Sequence, residues 1–368
     1  MNYKWTLKDA IFAKDKGKVF SCFSCGGGSS MGYKLAGFDV IGCNEIDPKM
    51  MDAYVKNLNP KYAYLEDIRT FKLREDLPAE LYDLDILDGS PPCSSFSMAG
   101  NREDDWGTEK KFREGQAEQV LDTLFFDFID LAKKLQPKVV IAENVKGLLL
   151  GEAFEYVRKI YEQLESSGYY VQHWLLNASK MGVPQRRERV FFIALRKDLA
   201  EPFLVQKGFF EQIPELKLEF NENEILFKEF YQAGVSDREL SKGKMYEYWQ
   251  QRQFGDESFS DTIKRNEGVE RCFANKYLYQ DQIPMTFTSN SDVIFLFDEY
   301  RKPNRTESCC IGSFPQDYDF TVNQYNYLIG MSVPPLMTAK IAEQIYIQWL
   351  SKIPNNENPE SVKKITKD

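Results

Sequence analysis

The sequence predicts an α/β fold: a mostly parallel, doubly wound sheet joined to a smaller, irregular region. Three observations carry this. Strand-like apolar runs alternate with helix-like stretches through residues 1–196. A glycine cluster, Gly26-Gly27-Gly28, follows the first strand-like run directly. The alternation then stops at about Lys197, and charged and aromatic residues continue without βα rhythm to Asp298. A chain of 368 residues is long for one core, which fits two domains or one large domain with an inserted module.

The elements follow in order. Lys18–Phe23 reads as a strand, the glycine cluster as a tight turn, and Ser30–Leu35 as a helix. Val40–Cys43 is a second strand that ends at Asn44-Glu45-Ile46-Asp47, and Pro48 opens a helix at the position where proline is best tolerated. Tyr82–Leu87 alternates as a strand and leads into a long polar loop, Gly100–Gln119. Val120–Leu135 places Leu121, Leu124, Phe125, Phe128, Leu131 and Leu135 at helical spacing. Pro137–Ala142 is a buried-type strand, Phe154–Leu164 a helix, and Tyr169–Leu176 and Val190–Leu195 are strands. Pro334–Leu350 is an amphipathic helix, and the polar tail from Pro354 is expected to be disordered.

Composition narrows the class. Hydrophobic residues make up 43%, enough for a folded core. No run approaches the roughly eighteen apolar residues of a membrane span, and Met1–Asp9 lacks the apolar stretch of a signal peptide. Seven cysteines at irregular spacing fit a reducing cytoplasm better than a disulfide framework. Cys22-x-x-Cys25 lacks a suitable second pair, because Cys309 and Cys310 are adjacent, so no metal is expected. The net charge of −9 argues against a surface coated for nonspecific nucleic-acid binding, yet leaves room for a local basic cleft. His173 is the only histidine and reads as an ordinary strand side chain, so proton transfer falls to carboxylates, arginines or water.

Cys93 is the most informative residue. It stands in Gly89-Ser90-Pro91-Pro92-Cys93-Ser94-Ser95-Phe96-Ser97, on a proline-stiffened loop at the carboxyl end of a strand. Open α/β sheets hold ligands outside those strand ends, and a thiolate placed there suits nucleophilic attack better than core packing. The glycine cluster suits close approach of a cofactor to a helix N-terminus, and Glu45, on the next strand, is placed to grip ribose hydroxyls. The spacing G-x-G-x-x-G is not clearly present, so a nicotinamide cofactor is not expected.

Together these motifs resemble the cytosine-C5 DNA methyltransferase family of the bacterial and phage restriction-modification kind. Pro92-Cys93 with Phe96-Ser97 resembles its nucleophile motif, Glu143-Asn144-Val145 its Glu-Asn-Val motif, and Gln185-Arg186-Arg187-Glu188-Arg189 its Gln-x-Arg-x-Arg motif. Arg301, Glu307 and Phe314-Pro315 resemble the segment closing the recognition domain, and Gly330-Met331-Ser332-Val333-Pro334 the final motif. Cys25 replaces the first glycine of the family's Phe-x-Gly-x-Gly, Met331 replaces an asparagine, Pro303-Asn304 replace a common Leu-Thr pair, and Leu121 stands where arginine is frequent.

The resemblance implies a Rossmann-like, S-adenosylmethionine-dependent methyltransferase sheet with a smaller, irregular target-recognition domain. The expected divisions are residues 1–196 for catalysis and cofactor, 197–320 for target recognition, 321–353 returning to the catalytic domain, and 354–368 as tail. Cys93 would attack C6 of a flipped cytosine, Glu143 would serve N3, and Arg187 and Arg189 would hold the ring carbonyl and nearby phosphate. Phe23 and Ile46 would flank the adenine of S-adenosylmethionine, Gly27 would allow close approach, Glu45 would hold the ribose and Asp67 the adenine amino group. Pro92 and Ser332 complete the expected cofactor set. From the residues alone, Glu143 also reads as a helix-capping carboxylate, and Phe23 and Ile46 as core.

The resemblance further implies double-stranded DNA as substrate, a cognate restriction endonuclease acting separately, a monomer on DNA, and a cytoplasmic, nucleoid-associated location. Arg102, Lys110, Lys111 and Arg113 are candidates to close over the flipped base, and Lys242, Lys244, Arg252, Lys264, Arg265, Arg271 and Lys276 are candidate phosphate contacts. The alternatives are a tRNA cytosine-C5 methyltransferase and a catalytically silent DNA-binding regulator on the same fold.

Overall fold

The computed structural model describes residues 2–92, 109–110, 119–120, 123–150, 153–208 and 211–354. Its chain runs β1 (Lys18–Cys22), α1 (Gly28–Leu35), β2 (Asp39–Glu45), α2 (Pro48–Leu58), β3 (Tyr62–Leu65), α3 (Ile68–Phe71) and β4 (Ile86–Gly89). A two-residue pair follows, β5 (Glu109–Lys110) with β6 (Gln119–Val120), then α4 (Leu124–Leu135), β7 (Val139–Val145), α5 (Phe154–Ser166), β8 (Tyr169–Asn177) and β9 (Glu188–Arg196).

These strands form a seven-stranded sheet in the order β3-β2-β1-β4-β7-β9-β8. All neighbouring pairs from β3 to β7 are parallel. β9 runs antiparallel to both β7 and β8, so it begins, rather than ends, at the edge where the parallel strands finish. The order reverses beside β1, which places the crevice of a doubly wound sheet at the carboxyl ends of β1 and β4.

Alternation in each strand feeds two cores. Phe20, Leu87, Val140 and Phe192 face α4 and α5, while Val19, Ile86, Ile141 and Ile193 face α1 and the late helix Pro335–Gln348. α4 buries Leu124, Phe125, Phe128, Leu131 and Leu135, the stripe expected from sequence; it begins later than Val120, which belongs to β6, and Leu121 lies outside the described residues. α2 starts where Asp47 accepts the Lys49 N–H at 2.8 Å, with Pro48 in its first turn.

Beyond β9 the elements are short: β10 (Leu204–Gln206) and β11 (Gln212–Pro214), α6 (Lys244–Gln250), α7 (Phe259–Glu267), β12 (Lys276–Leu278) and β13 (Ile294–Leu296). An aromatic core of Tyr248, Phe259, Tyr277, Tyr279 and Phe295 holds α6, α7, β12 and β13 together. The chain then forms α8 (Arg305–Gly312), α9 (Tyr325–Met331) and α10 (Pro335–Gln348). α10 packs beside α1, returning the carboxyl-terminal part to the main sheet. No helix among the described residues is long and apolar enough to cross a membrane.

Candidate active site

Strand register gathers the expected site residues on one edge. Cys22 of β1 pairs with Asn44 of β2 and with Gly89 of β4, Glu45 pairs with Leu65, Gly89 with Ala142, and Val145 with Arg189. Phe23, Glu45, Asp67, Pro92, Glu143 and Arg189 therefore all leave the sheet at the same end. Cys93 lies outside the described residues, as do Arg102, Lys111 and Arg113; of Lys110 only the backbone is described.

The turn that leads to Cys93 is anchored. Asn144, 3% exposed, donates its side-chain amide to the Pro91 carbonyl at 3.2 Å and accepts the Val145 N–H at 2.8 Å. Beside it, Arg189 Nε stands 2.9 Å from Glu143 Oε1, both side chains largely buried. Burial lowers the Arg189 guanidinium from its ordinary range, and the Glu143 carboxylate offsets part of that.

Arg187 faces elsewhere. Its guanidinium donates through Nη1 to the carbonyls of Phe287 at 2.7 Å and Gly330 at 3.2 Å, while the buried Nε has no hydrogen-bond partner. Burial and the neighbouring Arg189 lower it to about 9. Gln185 flanks this joint, donating to the Ile311 carbonyl at 3.1 Å and accepting the Phe287 N–H at 3.2 Å. The Gln-x-Arg-x-Arg run is thus divided: Arg189 turns to Glu143, and Gln185 and Arg187 bind Phe287, Ile311 and Gly330, from the chain after β12 into α9.

The half of the site expected to hold the cofactor is built on strained backbone. Phe23 and Cys25 have φ of 51° and 48°, and Gly27 has φ of 81°. A Cβ on Gly28 would stand 2.2 Å from the Val333 carbonyl oxygen, so the protein's own final motif already requires glycine there. Glu45 is the keystone of the loop: its Oε2 accepts the Cys25 N–H at 2.7 Å, and its Oε1 accepts the N–H groups of Ile46 and Asp47, both at 2.9 Å. Burial raises its carboxyl, against those three donors. Ser332 donates to the Leu328 carbonyl at 2.9 Å and stands 3.6 Å from Cys25 Sγ. Asp67 caps α3 and pairs with Arg69 at 2.6 Å. Ile46 is 36% exposed and Phe23 half-buried, leaving apolar faces open at this edge. Carboxylates that can accept from a diol and an amine, beside open apolar faces, are an acceptor set that fits an adenosine-bearing cofactor.

Sequence reasoning missed Asp88. Its buried carboxyl accepts Ser21 Oγ at 2.8 Å and the Tyr33 hydroxyl at 3.0 Å, tying β1 and α1 to the strand that carries the Cys93 loop. A lone acid inside Ile86-Leu87-Asp88-Gly89 was the available signal. The candidate phosphate contacts are mostly engaged: Arg265 pairs with Asp256, Lys264 with Glu270 and Arg271 with Glu267, while Arg252 lies 3.3 Å over the Trp249 ring. Lys276 is exposed. His173 sits on β8, hydrogen-bonded to the Tyr161 hydroxyl at 2.7 Å and apart from the site edge.

Comparison with known proteins follows the same lines. Type II methyltransferase M.FnuDI of Fusobacterium nucleatum is 38% identical over 182 residues, covering 50% of this chain and 48% of that protein. Type II methyltransferase M1.HphI of Haemophilus parahaemolyticus is 28% identical over 339 residues, covering 88% of this chain and 85% of that protein. Matches to several curated relatives thus span about half their length. A solved structure described as a DNA modification methyltransferase encoded within an E. coli prophage shares the fold, with TM-score 0.61 at 21% identity over 90% of this chain and 99% of that one. The family model for C-5 cytosine-specific DNA methylase matches residues 17–347. The chain belongs to the C-5 cytosine-specific DNA methylase family.

Proposed function

We propose that this chain is a site-specific DNA cytosine-C5 methyltransferase using S-adenosylmethionine. The observation that carries the reading is the Glu143–Arg189 pair at 2.9 Å, set beside the Asn144-anchored turn that leads into Cys93. When bound, S-adenosylmethionine supplies an electrophilic methyl group at the carboxyl ends of β1 and β2. Glu45, Asp67, Phe23, Ile46, Gly27, Pro92 and Ser332 form the edge that would hold it.

The protein's own groups divide the chemistry. Cys93 gives an electron pair from its thiolate to C6 of a flipped cytosine, forming a C6–S bond and moving ring electrons toward N3. Glu143 holds a proton at N3, and Arg189 keeps that carboxyl aimed while its remaining donors face the ring carbonyl. The ring, now enamine-like and nucleophilic at C5, would receive there the methyl group that S-adenosylmethionine would supply when held by the edge of Glu45, Asp67 and Phe23. Water takes the C5 proton, the C5–C6 double bond reforms, and the Cys93 thiolate leaves. Arg187, bound to two carbonyls, holds the joint behind Arg189 in this scheme.

On the same reading, residues 1–196 and 321–353 form the catalytic unit and 197–320 the recognition unit. The substrate is duplex DNA bound by a monomer in the cytoplasm, and a separate restriction endonuclease is its functional counterpart. Incubation with tritiated S-adenosylmethionine and either duplex DNA or tRNA, beside Cys93→Ala, tests this. Label on DNA, lost in the variant, is expected, as is a covalent complex with DNA containing 5-fluorocytosine. Label on tRNA alone would sink the reading, and no label on varied DNA would favour a silent regulator.

A further inference from the structure

Residues 2–16 precede the family-matched stretch of 17–347, yet they are bound firmly to the body of the protein. The Trp5 indole N–H donates to the Ser313 carbonyl at 2.9 Å, and the Trp5 carbonyl accepts the Gln316 N–H at 2.8 Å. Asp317 accepts the Leu7 N–H at 2.7 Å and the Lys8 N–H at 3.1 Å, one on each carboxylate oxygen. Tyr3 packs edge-on to Phe230, and Lys4 Nζ donates to the Glu229 carbonyl at 3.1 Å. The amino-terminal strap therefore grips the turn Ser313–Asp317 from outside.

That turn is the support of one specific contact. Tyr318, adjacent to Asp317 and fully buried, donates its hydroxyl to the Gly26 carbonyl at 2.6 Å. Gly26 lies in the loop between Phe23 and Gly27, the stretch of left-handed backbone at the proposed cofactor edge. Ser313 is also left-handed, with φ of 52°, and its hydroxyl accepts the Leu336 N–H at 3.2 Å, so the turn is held from α10 as well. Strained loop conformations persist only where their surroundings over-determine them.

The geometry points to Trp5, Asp317 and Tyr318 as positioning residues for cofactor binding, acting in series from the amino-terminal strap through the turn to the Gly26 carbonyl. This rests on the cofactor reading given above. The strap sets the shape of the loop that carries the expected cofactor contacts Phe23 and Gly27. Losing one such hydrogen bond weakens a preformed site by about three- to tenfold.

The test is direct binding of S-adenosylhomocysteine, by calorimetry, to the full-length chain and to Trp5→Ala, Asp317→Ala, Asp317→Asn and Tyr318→Phe. Kd is expected to rise about three- to tenfold in Trp5→Ala, Asp317→Ala and Tyr318→Phe, with partial recovery in Asp317→Asn, which keeps one accepting oxygen. Duplex DNA affinity should stay within about twofold of the unaltered chain, a split that general loosening would not produce. Because the links act in series, Asp317→Ala/Tyr318→Phe should bind no more weakly than Tyr318→Phe alone. Additive losses, or unchanged Kd in Trp5→Ala and Asp317→Ala, would overturn the proposal. Tyr318→Phe keeps the ring and removes one hydroxyl, so it reports on the last link even if the strap variants fold poorly. No binding by the unaltered chain would overturn the cofactor reading itself, a result distinct from binding that the variants leave unchanged.

Discussion

Glu143 and Arg189 form a buried pair, Oε1 to Nε 2.9 Å, across the antiparallel junction between β7 and β9. The junction matters because it brings the start of β9 to the edge where β7 ends. Removing one partner of a buried pair strands the other charge in a poorly solvated place. Glu143→Ala is expected to lower unfolding free energy by about 3–5 kcal/mol, and Glu143→Gln by clearly less, since an amide still accepts from Arg189. Urea denaturation measures this. Both should reduce methyl transfer by about 10²–10⁴-fold, and near-normal turnover in Glu143→Gln would remove Glu143 from the acid role.

Asp88 makes stability depend on pH. Burial pushes its carboxyl up to about 7, against the hydrogen bonds from Ser21 and Tyr33 and helped by the charge of Glu143. In the unfolded chain an aspartate titrates at about 3.9. Below about pH 4 both states carry the proton, so the contribution to stability is fully present there. Between about pH 4 and 7 only the folded state keeps it, and stability falls as pH rises until the folded group ionises too. From pH 5 to pH 8 the unaltered chain should lose about 2–3 kcal/mol relative to Asp88→Asn. Equal pH dependence in both proteins would show that Asp88 does not titrate in this window.

Arg301 and Glu307 lock the segment that precedes α9. The guanidinium meets the carboxylate in a two-point fork, at 2.7 and 2.9 Å, with Glu307 fully buried. Glu307 also accepts the N–H groups of Asn304 at 2.9 Å and Gln232 at 2.8 Å. Arg301→Lys keeps the charge but cannot reproduce the fork. It should cost about 1–3 kcal/mol and lower the melting temperature by a few degrees, read by calorimetry. A melting point unchanged in Arg301→Lys would mean that the charge alone, without the fork, holds the segment.

Gly330 admits no side chain. A Cβ there would stand 2.0 Å from the Thr288 carbonyl oxygen, and the Gly330 carbonyl is itself an acceptor for Arg187. Gly330→Ala must move backbone at the joint between Phe287 and α9. Destabilisation of about 1–3 kcal/mol is expected, together with a raised KM for DNA and a smaller change in cofactor affinity. Loss of cofactor affinity alone would place the disturbance in the wrong half of the site.

Much of this was legible in the sequence because it was local. The period of α4, the start of α2 at Pro48 and the glycine turn after β1 all depend on neighbours within a few residues. The direction of β9 was not legible, since apolar alternation is the same in either direction and the choice falls to the connection from Asn177 to Glu188. Nor was the split between Arg187 and Arg189. Residues two apart in a strand share a face, yet β9 begins only at Glu188, so Arg187 is free to turn toward Phe287.

The sequence by itself determined the kind of fold, the order of its motifs and the residue types brought to the chemistry, because strand and helix periods and turn residues act over short range. Tertiary structure decided which of those residues meet. The antiparallel β9 put Arg189 against Glu143, and long-range contacts gave Asp88 to Tyr33, Arg187 to the joint and Asp317 to the strap. Such pairings are set by shape and burial across the whole chain, where an unpartnered polar group costs most.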